Sequence, residues 1–300
     1  MKIINNSVLA SDVGQTLGLP MIGDDIAIHC LNLCNSRKIN QGALTYLARE
    51  TMIDRMFCRK EIVAAITSES LYSKYTDKFS SMVCFISRYP EEDFYKLHNT
   101  LIKTGSFYLV PSFSSIVPNS VVQGRNVQID SEGVIIGENV SIGANTVIDR
   151  GVQIGDNCQI GSNSIIGCDG FQLIKDRSGK NQIIKHGGAV KIGNSVAIGN
   201  NTVIARGLLS DTTEIGHSTK IDNLVHISHN CTIGENCVIT AGAILAGSVI
   251  LDNNVWVGPN STFLNRVCCG DESTVGIGSV VISSVNQKSK VFGNPARYIS

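Results

Sequence analysis

Aliphatic residues recur at every sixth position over the last third of the chain. From Ile215 the series runs through Ile221, Ile227, Ile233, Ile239, Leu245, Leu251, Val257, Phe263, Cys269 and Val275 to Val281, in unbroken phase. Four places after each stands a small or β-branched residue, from Thr219, Val225 and Cys231 to Ser279 and Val285. Strands alternate with period two and amphipathic helices with 3.6, so neither explains a period of six. The pattern is the hexapeptide repeat of a parallel β-helix, in which three hexads make one triangular coil. The same phase runs through Ile142, Ile148, Ile154, Ile160 and Ile166 and resumes at Ile192, Ile198 and Ile204. Single-residue slips are expected around 129–136 and between 204 and 215. Residues 168–189, with "KDRSGKNQ" at their centre, break the repeat and are expected to leave the coil as a loop. They are either a binding loop or a tolerated insertion.

The first hundred residues carry a different pattern. The apolar runs "IVAAITS" (62–68) and "MVCFIS" (82–87) read as buried strands. From Pro90 to Lys103, proline and acidic residues open a segment that places Phe94, Leu97, Leu101 and Ile102 on one helical face and stops at Gly105. The expected organisation is an α/β domain over 1–107 and a mainly β domain, the parallel β-helix, over 108–300 with the loop 168–189. Coil stacking gives a simple rule: residues one coil (three hexads) apart lie above one another, about 4.8 Å apart. The period alone leaves the handedness of the coil open.

Composition narrows the function classes. Twenty-five basic residues balance twenty-five acidic ones with no basic run, which argues against nucleic acid or an anionic membrane as main partner. The start reads as neither a secretory signal nor a membrane span, and a cytoplasmic protein is expected. The ten cysteines include no CxxC pair, and several occupy the small-residue slot of the hexad, so they read as reduced packing residues.

The chemistry concentrates in "NLVHISHNCTIG" (223–234). His229 lies two places after the inward Ile227 and so points out of the coil. One coil later stands Gly247, in "LAGS". A glycine stacked on a histidine leaves its N–H open to a substrate carbonyl, so base and oxyanion donor stand side by side, as acyl transfer to an amine requires. Asp211, one coil before His229, is placed to orient the ring. Solvated surface is the ordinary lot of an outward histidine. A metal site would need a third ligand, and His217 lies on another face, so no metal is expected. His226 occupies a different part of the edge. Trp256 faces outward, either toward a substrate groove or toward a subunit contact.

These residues carry a family resemblance. The stretch from "KIDNLVHISHN" to "VWVG" resembles the active-site region of the UDP-3-O-acylglucosamine N-acyltransferase family, hexapeptide acyltransferases of lipid A synthesis. "GCDGF" (167–171), "ARGLLSDTTEIG" (205–216), "NQGALTYL" and "SRYP" resemble further segments of that family. The resemblance implies a left-handed β-helix, a homotrimer with active sites between subunits, His229 as general base and Gly247 as oxyanion donor. It implies a nucleotide site at Tyr46, while Arg49 and Met52 depart from the family's asparagine and second aromatic. Arg266 stands where the family has a second histidine, which suggests a carboxylate or phosphate contact. The chain stops at "GNPARYIS", and "GNPAR", containing Arg297, resembles the ending of coenzyme-A-dependent sugar acetyltransferases.

The expectation is therefore an N-acyltransferase acting on a nucleotide-linked amino sugar of surface polysaccharide. It has no tightly bound cofactor, and acyl-CoA or acyl carrier protein is its co-substrate. His226, Trp256, Arg266 and Arg297 are the candidates for the donor or acceptor groove. The lipid A N-acyltransferase itself is the alternative within the enzyme class. A non-catalytic nucleotide-sugar-binding scaffold is the alternative outside it.

Overall fold

A computed structural model describes residues 4–36, 39–105, 107–109 and 113–299. Its described residues divide into two compact units, one within 113–170 and 186–299, the other within 4–109 and 171–185.

The first unit is a left-handed parallel β-helix with three faces of ten, eight and seven strands. His226–Ile227, for example, pairs in parallel with Val203–Ile204 below and Ile244–Leu245 above. Every aliphatic head of the hexad series from Ile215 to Val281 is buried, each at 3% exposure or less. A single continuous apolar column results, so each coil is stabilised mainly by the coil on either side.

The small slot four places later is buried as well, and apart from Ser273, whose buried hydroxyl has no partner among the described residues, its polar occupants are hydrogen-bonded. Thr146 Oγ1 donates to the carbonyl of Gly161 at 2.8 Å, Thr219 to Gly234 at 2.8 Å and Ser261 to Gly276 at 2.9 Å. Cysteines in the same slot make the same bond: Cys158 Sγ to Gly193 O at 3.1 Å, Cys231 to Ala246 O at 3.3 Å, Cys237 to Asp252 O at 3.0 Å. Burial pushes the Cys231 thiol up to about 12, so it remains a protonated donor. All ten cysteines are free, and Cys58, exposed, is not a packing residue.

Asparagine abundance has a backbone cause. The corners require left-handed φ, and Asn139, Asn145, Asn157, Asn163, Asn230, Asn236, Asn254 and Asn260 all lie between 54° and 61°. Asparagine enters this region far more readily than most side chains. Stacked corner amides also bond to each other, as from Asn145 Nδ2 to Asn163 Oδ1 at 3.2 Å.

The register identifies both irregularities. Ser141 pairs with Val122 and Val147 with Gln128, nineteen residues apart, which is the expected single-residue slip. The second irregularity is larger than a single residue. Val203 pairs with His226 at a separation of 23, so the corner between Ala205 and Thr212 carries five more residues than a regular coil. The repeat break is not an irregular loop of the β-helix. Gln172–Lys175 and Asn181–Ile184 form an antiparallel hairpin that belongs to the other unit.

That second unit is built on a five-stranded sheet in the order Met21–Ile22, Val83–Ile86, Ile62–Thr67, Ala43–Leu47, Cys30–Leu31, antiparallel at the first pair and parallel elsewhere. The helix Pro90–Thr104 buries Phe94, Leu97 and Leu101 and ends at Gly105 with φ 65°. The hairpin docks on this helix. Arg177 Nε donates to Glu92 at 3.0 Å and its Nη2 to Asp93 at 3.3 Å, while Asn99 bonds Ile183 O and Lys185 N. Among the described residues no helix is long and apolar enough to cross a membrane.

Candidate active site

His229 sits at the corner that follows the strand His226–Ile227, where the chain turns toward Thr232–Ile233. Its ring is half-buried, and three of its edges have defined neighbours. A Cβ built on Gly247 would lie 2.8 Å from both Cε1 and Nε2, so any larger residue there would have to move the ring. A Cβ built on Gly170 would lie 3.3 Å from Cδ2. Nδ1 is 3.3 Å from Asn230 Oδ1.

The partners of Asn230 assign the tautomer. Its Oδ1 accepts from the Leu208 N–H at 2.6 Å, and its Nδ2 donates to Asp211 Oδ2 at 2.6 Å. Both contacts orient the amide the same way, with oxygen toward His229. An amide oxygen can only accept, so Nδ1 of His229 carries the proton and Nε2 presents its lone pair beside Gly247. Asp211 thus bears on the ring through Asn230. The enlarged corner explains this arrangement, since its extra residues bring Leu208 and Asp211 up to the amide of the next coil.

Gly247 supplies the complementary group. Among the described residues its N–H has no acceptor, while its carbonyl accepts from Arg266 N at 3.0 Å. Without a Cβ that peptide nitrogen stays accessible. Arg266, with φ 66°, occupies the same corner one coil higher. Burial first, and the positive charge of Arg266 second, push the His229 pKa below the usual histidine value; the Asn230 bond opposes them. The ring is therefore neutral, and able to accept a proton, at neutral pH.

The other candidate residues lie elsewhere. His226 points outward from the middle of its face, not from the corner. Trp256, 39% exposed, and Arg297 both belong to the ten-stranded face. In the α/β unit, Tyr46 turns its ring against Phe94 with centroids 5.2 Å apart, and its hydroxyl donates to Glu91 at 2.9 Å. Arg49 is exposed at the start of the short turn Glu50–Met52. Among the described residues no cluster of histidine, cysteine or carboxylate has the makings of a metal site.

Sequence reasoning passed over three residues at this corner. Asn230 shares its left-handed corner conformation with other asparagines of the repeat, so residue type alone does not single it out. Gly170 and His186 stand near the two edges of the repeat break, and that position, with the segment "GCDGF" for Gly170, is the signal residue order offers.

Comparison with known proteins agrees with the repeat fold. The family described as bacterial transferase hexapeptide (six repeats) matches residues 133–168 and 212–247, the second of which spans His229 and Gly247. No curated protein matches the chain. Among solved structures, UDP-N-acetylglucosamine acyltransferase from Campylobacter jejuni is 25% identical, covering 62% of this chain and 73% of its own, with a TM-score of 0.50. LpxA from Acinetobacter baumannii is 24% identical, covering 62% and 72%, also at 0.50, a likeness of fold.

Proposed function

We propose that this chain, which matches the bacterial transferase hexapeptide family over 133–168 and 212–247, moves an acyl group from a thioester to the amine of a nucleotide-linked amino sugar. The observation that carries the reading is the juxtaposition of a neutral imidazole Nε2 with the bare amide of Gly247. The amine attacks the thioester carbonyl and a C–N bond forms. The carbonyl oxygen becomes an oxyanion that accepts a hydrogen bond from Gly247 N–H. His229 Nε2 takes the proton released by the amine. The C–S bond then breaks, and the departing thiolate takes that proton from the imidazolium. No covalent enzyme intermediate is required, because holding donor and acceptor on one corner makes the attack effectively unimolecular.

Similarity to an acyltransferase of a UDP-linked sugar supports a nucleotide-linked acceptor. We assign the nucleotide to the α/β unit near Tyr46 and Arg49, and the donor to coenzyme A rather than acyl carrier protein on the strength of the "GNPAR" motif with Arg297. Arg266 is the candidate contact for an anionic group, and His226 and Trp256 for groove walls. A homotrimer in the cytoplasm completes the reading. Outward apolar side chains, among them Ile165 and Ile244 on one face and Val238 and Trp256 on another, are between 36% and 45% exposed, as suits surfaces covered by further copies.

The test is acyl transfer by purified protein to a panel of UDP-, dTDP- and GDP-linked amino sugars and their hydroxyl counterparts, with acetyl-CoA against a long-chain acyl carrier protein. Amide formation from acetyl-CoA that falls about 10²-fold or more in His229→Ala supports the reading. Transfer only to hydroxyls, or only from acyl carrier protein, redirects it to those substrates. No transfer to any acceptor favours a binding scaffold.

A further inference from the structure

The chain leaves the β-helix after Gly170 and re-enters it at His186, and both residues meet the ring of His229. His186 is 4% exposed, and its ring stands edge-to-face with that of His229, the centroids 5.4 Å apart and the planes inclined by 64°. Gly170 fits between the two imidazoles. A Cβ there would fall 2.7 Å from His186 Nε2 and 3.3 Å from His229 Cδ2, so a larger residue would have to move one ring or both. Gly247 and Asn230 define the Nε2 and Nδ1 sides of His229. His186 and Gly170 define the remaining edge, and without them an imidazole on a single side-chain bond could swing away from Gly247. An aliphatic side chain could fill the volume at 186, but it would lack the flat face against which a neighbouring ring edge packs.

We infer that His186 and Gly170 are positioning residues that hold the His229 imidazole in its reactive orientation and keep water from its inner edge. The inference rests on His229 being the base. The ionisable groups around that ring are His186 from the returning strand, Asp211 through Asn230 from the coil below, Arg266 from two coils above and His226 on the strand that precedes it. Of these, His186 is the one whose ring packs directly on that of His229.

The test compares His186→Ala, His186→Leu and His186→Phe with the parent in the same acyl-transfer assay across pH, with light scattering and thermal unfolding to establish that each assembles as the parent does. Ala and Leu are expected to lower kcat by about tenfold or more while KM for both substrates stays within about twofold, since misplacement of a bound catalytic group costs turnover rather than affinity. In the Ala variant water reaches the ring, so the acid limb of the rate profile moves up toward the ordinary histidine value. Phe keeps the edge-to-face packing, so its kcat stays within about threefold of the parent and its acid limb is unmoved. If Ala does not fold, Leu, which fills the volume, carries the comparison. Parental kcat in Ala or Leu overturns the inference, and so does equal impairment of Leu and Phe. His229→Ala separates this outcome from failure of the acyl-transfer reading: if that variant keeps parental turnover, the base has been misassigned, whatever the His186 variants do.

Discussion

The side-chain position left vacant at Gly247 lies 2.8 Å from Nε2 of His229. Two residues eighteen apart in sequence are thereby in contact through a missing methyl group, and the contact leaves both an amide N–H and an imidazole lone pair facing the same space.

Gly247→Ala separates this site from the scaffold around it. The added methyl pushes the ring aside and shields the N–H, so turnover should fall about 10²- to 10³-fold, the range for loss of an oxyanion donor. The residue is not in the left-handed region and its neighbours remain paired, so thermal unfolding should change little. Near-parental kcat would show that the amide plays no part.

The tautomer is the target of a second substitution. Asn230→Gly removes the acceptor from Nδ1 at no backbone cost, because glycine enters φ 61° freely. Without that bond either ring nitrogen can hold the proton, and kcat should fall about tenfold with KM unchanged. Asn230→Asp keeps an acceptor but sets a carboxylate beside Asp211 and His229. It stabilises the imidazolium, and the acid limb of the rate profile should move to higher pH. An unshifted limb in the Asp variant would argue against the Asn230–His229 bond.

The pH profile itself has a definite sign. The base must be neutral, and burial together with Arg266 lowers its pKa, so activity should hold below the ordinary histidine value of about 6.5 before falling in acid. Arg266→Gln removes the positive neighbour, so the limb should move up, though less than for loss of burial, the larger cause. The shift should shrink as salt is raised, because Arg266 is exposed and its field is screened. A limb that moves down in the Gln variant would refute the assigned electrostatics.

Much of the β-helix was legible from residue order because its rule is local and repeats. Ile227, Leu245 and Phe263 occupy equivalent positions, and each is buried for the same reason: a period of six returns every head residue to the inside of a three-sided coil. That arithmetic also set Gly247 above His229. The Pro90–Thr104 helix could likewise be read from its own segment, since its proline start, apolar face and terminal glycine are all local features.

Where the repeat breaks, local rules stop applying. Residues 168–189 lack the hexad, but only the folded chain shows that they pair as a hairpin on Glu92, Asp93 and Asn99. Those partners lie more than seventy residues away, and no periodicity links them. The five extra residues before Thr212 also have no fixed course in sequence terms, so the repeat puts Asp211 at the His229 ring itself, whereas it bonds Asn230. Its bond to Asn230, and the burial of His186 against His229, arise from chain that bulges or departs and then returns. Sequence alone determined the stacking of imidazole and amide, because a repeat converts spacing into height. Tertiary structure decided which nitrogen of that imidazole is free and what holds its ring, because the groups that orient Asn230 and pack on the ring come from segments outside the repeat.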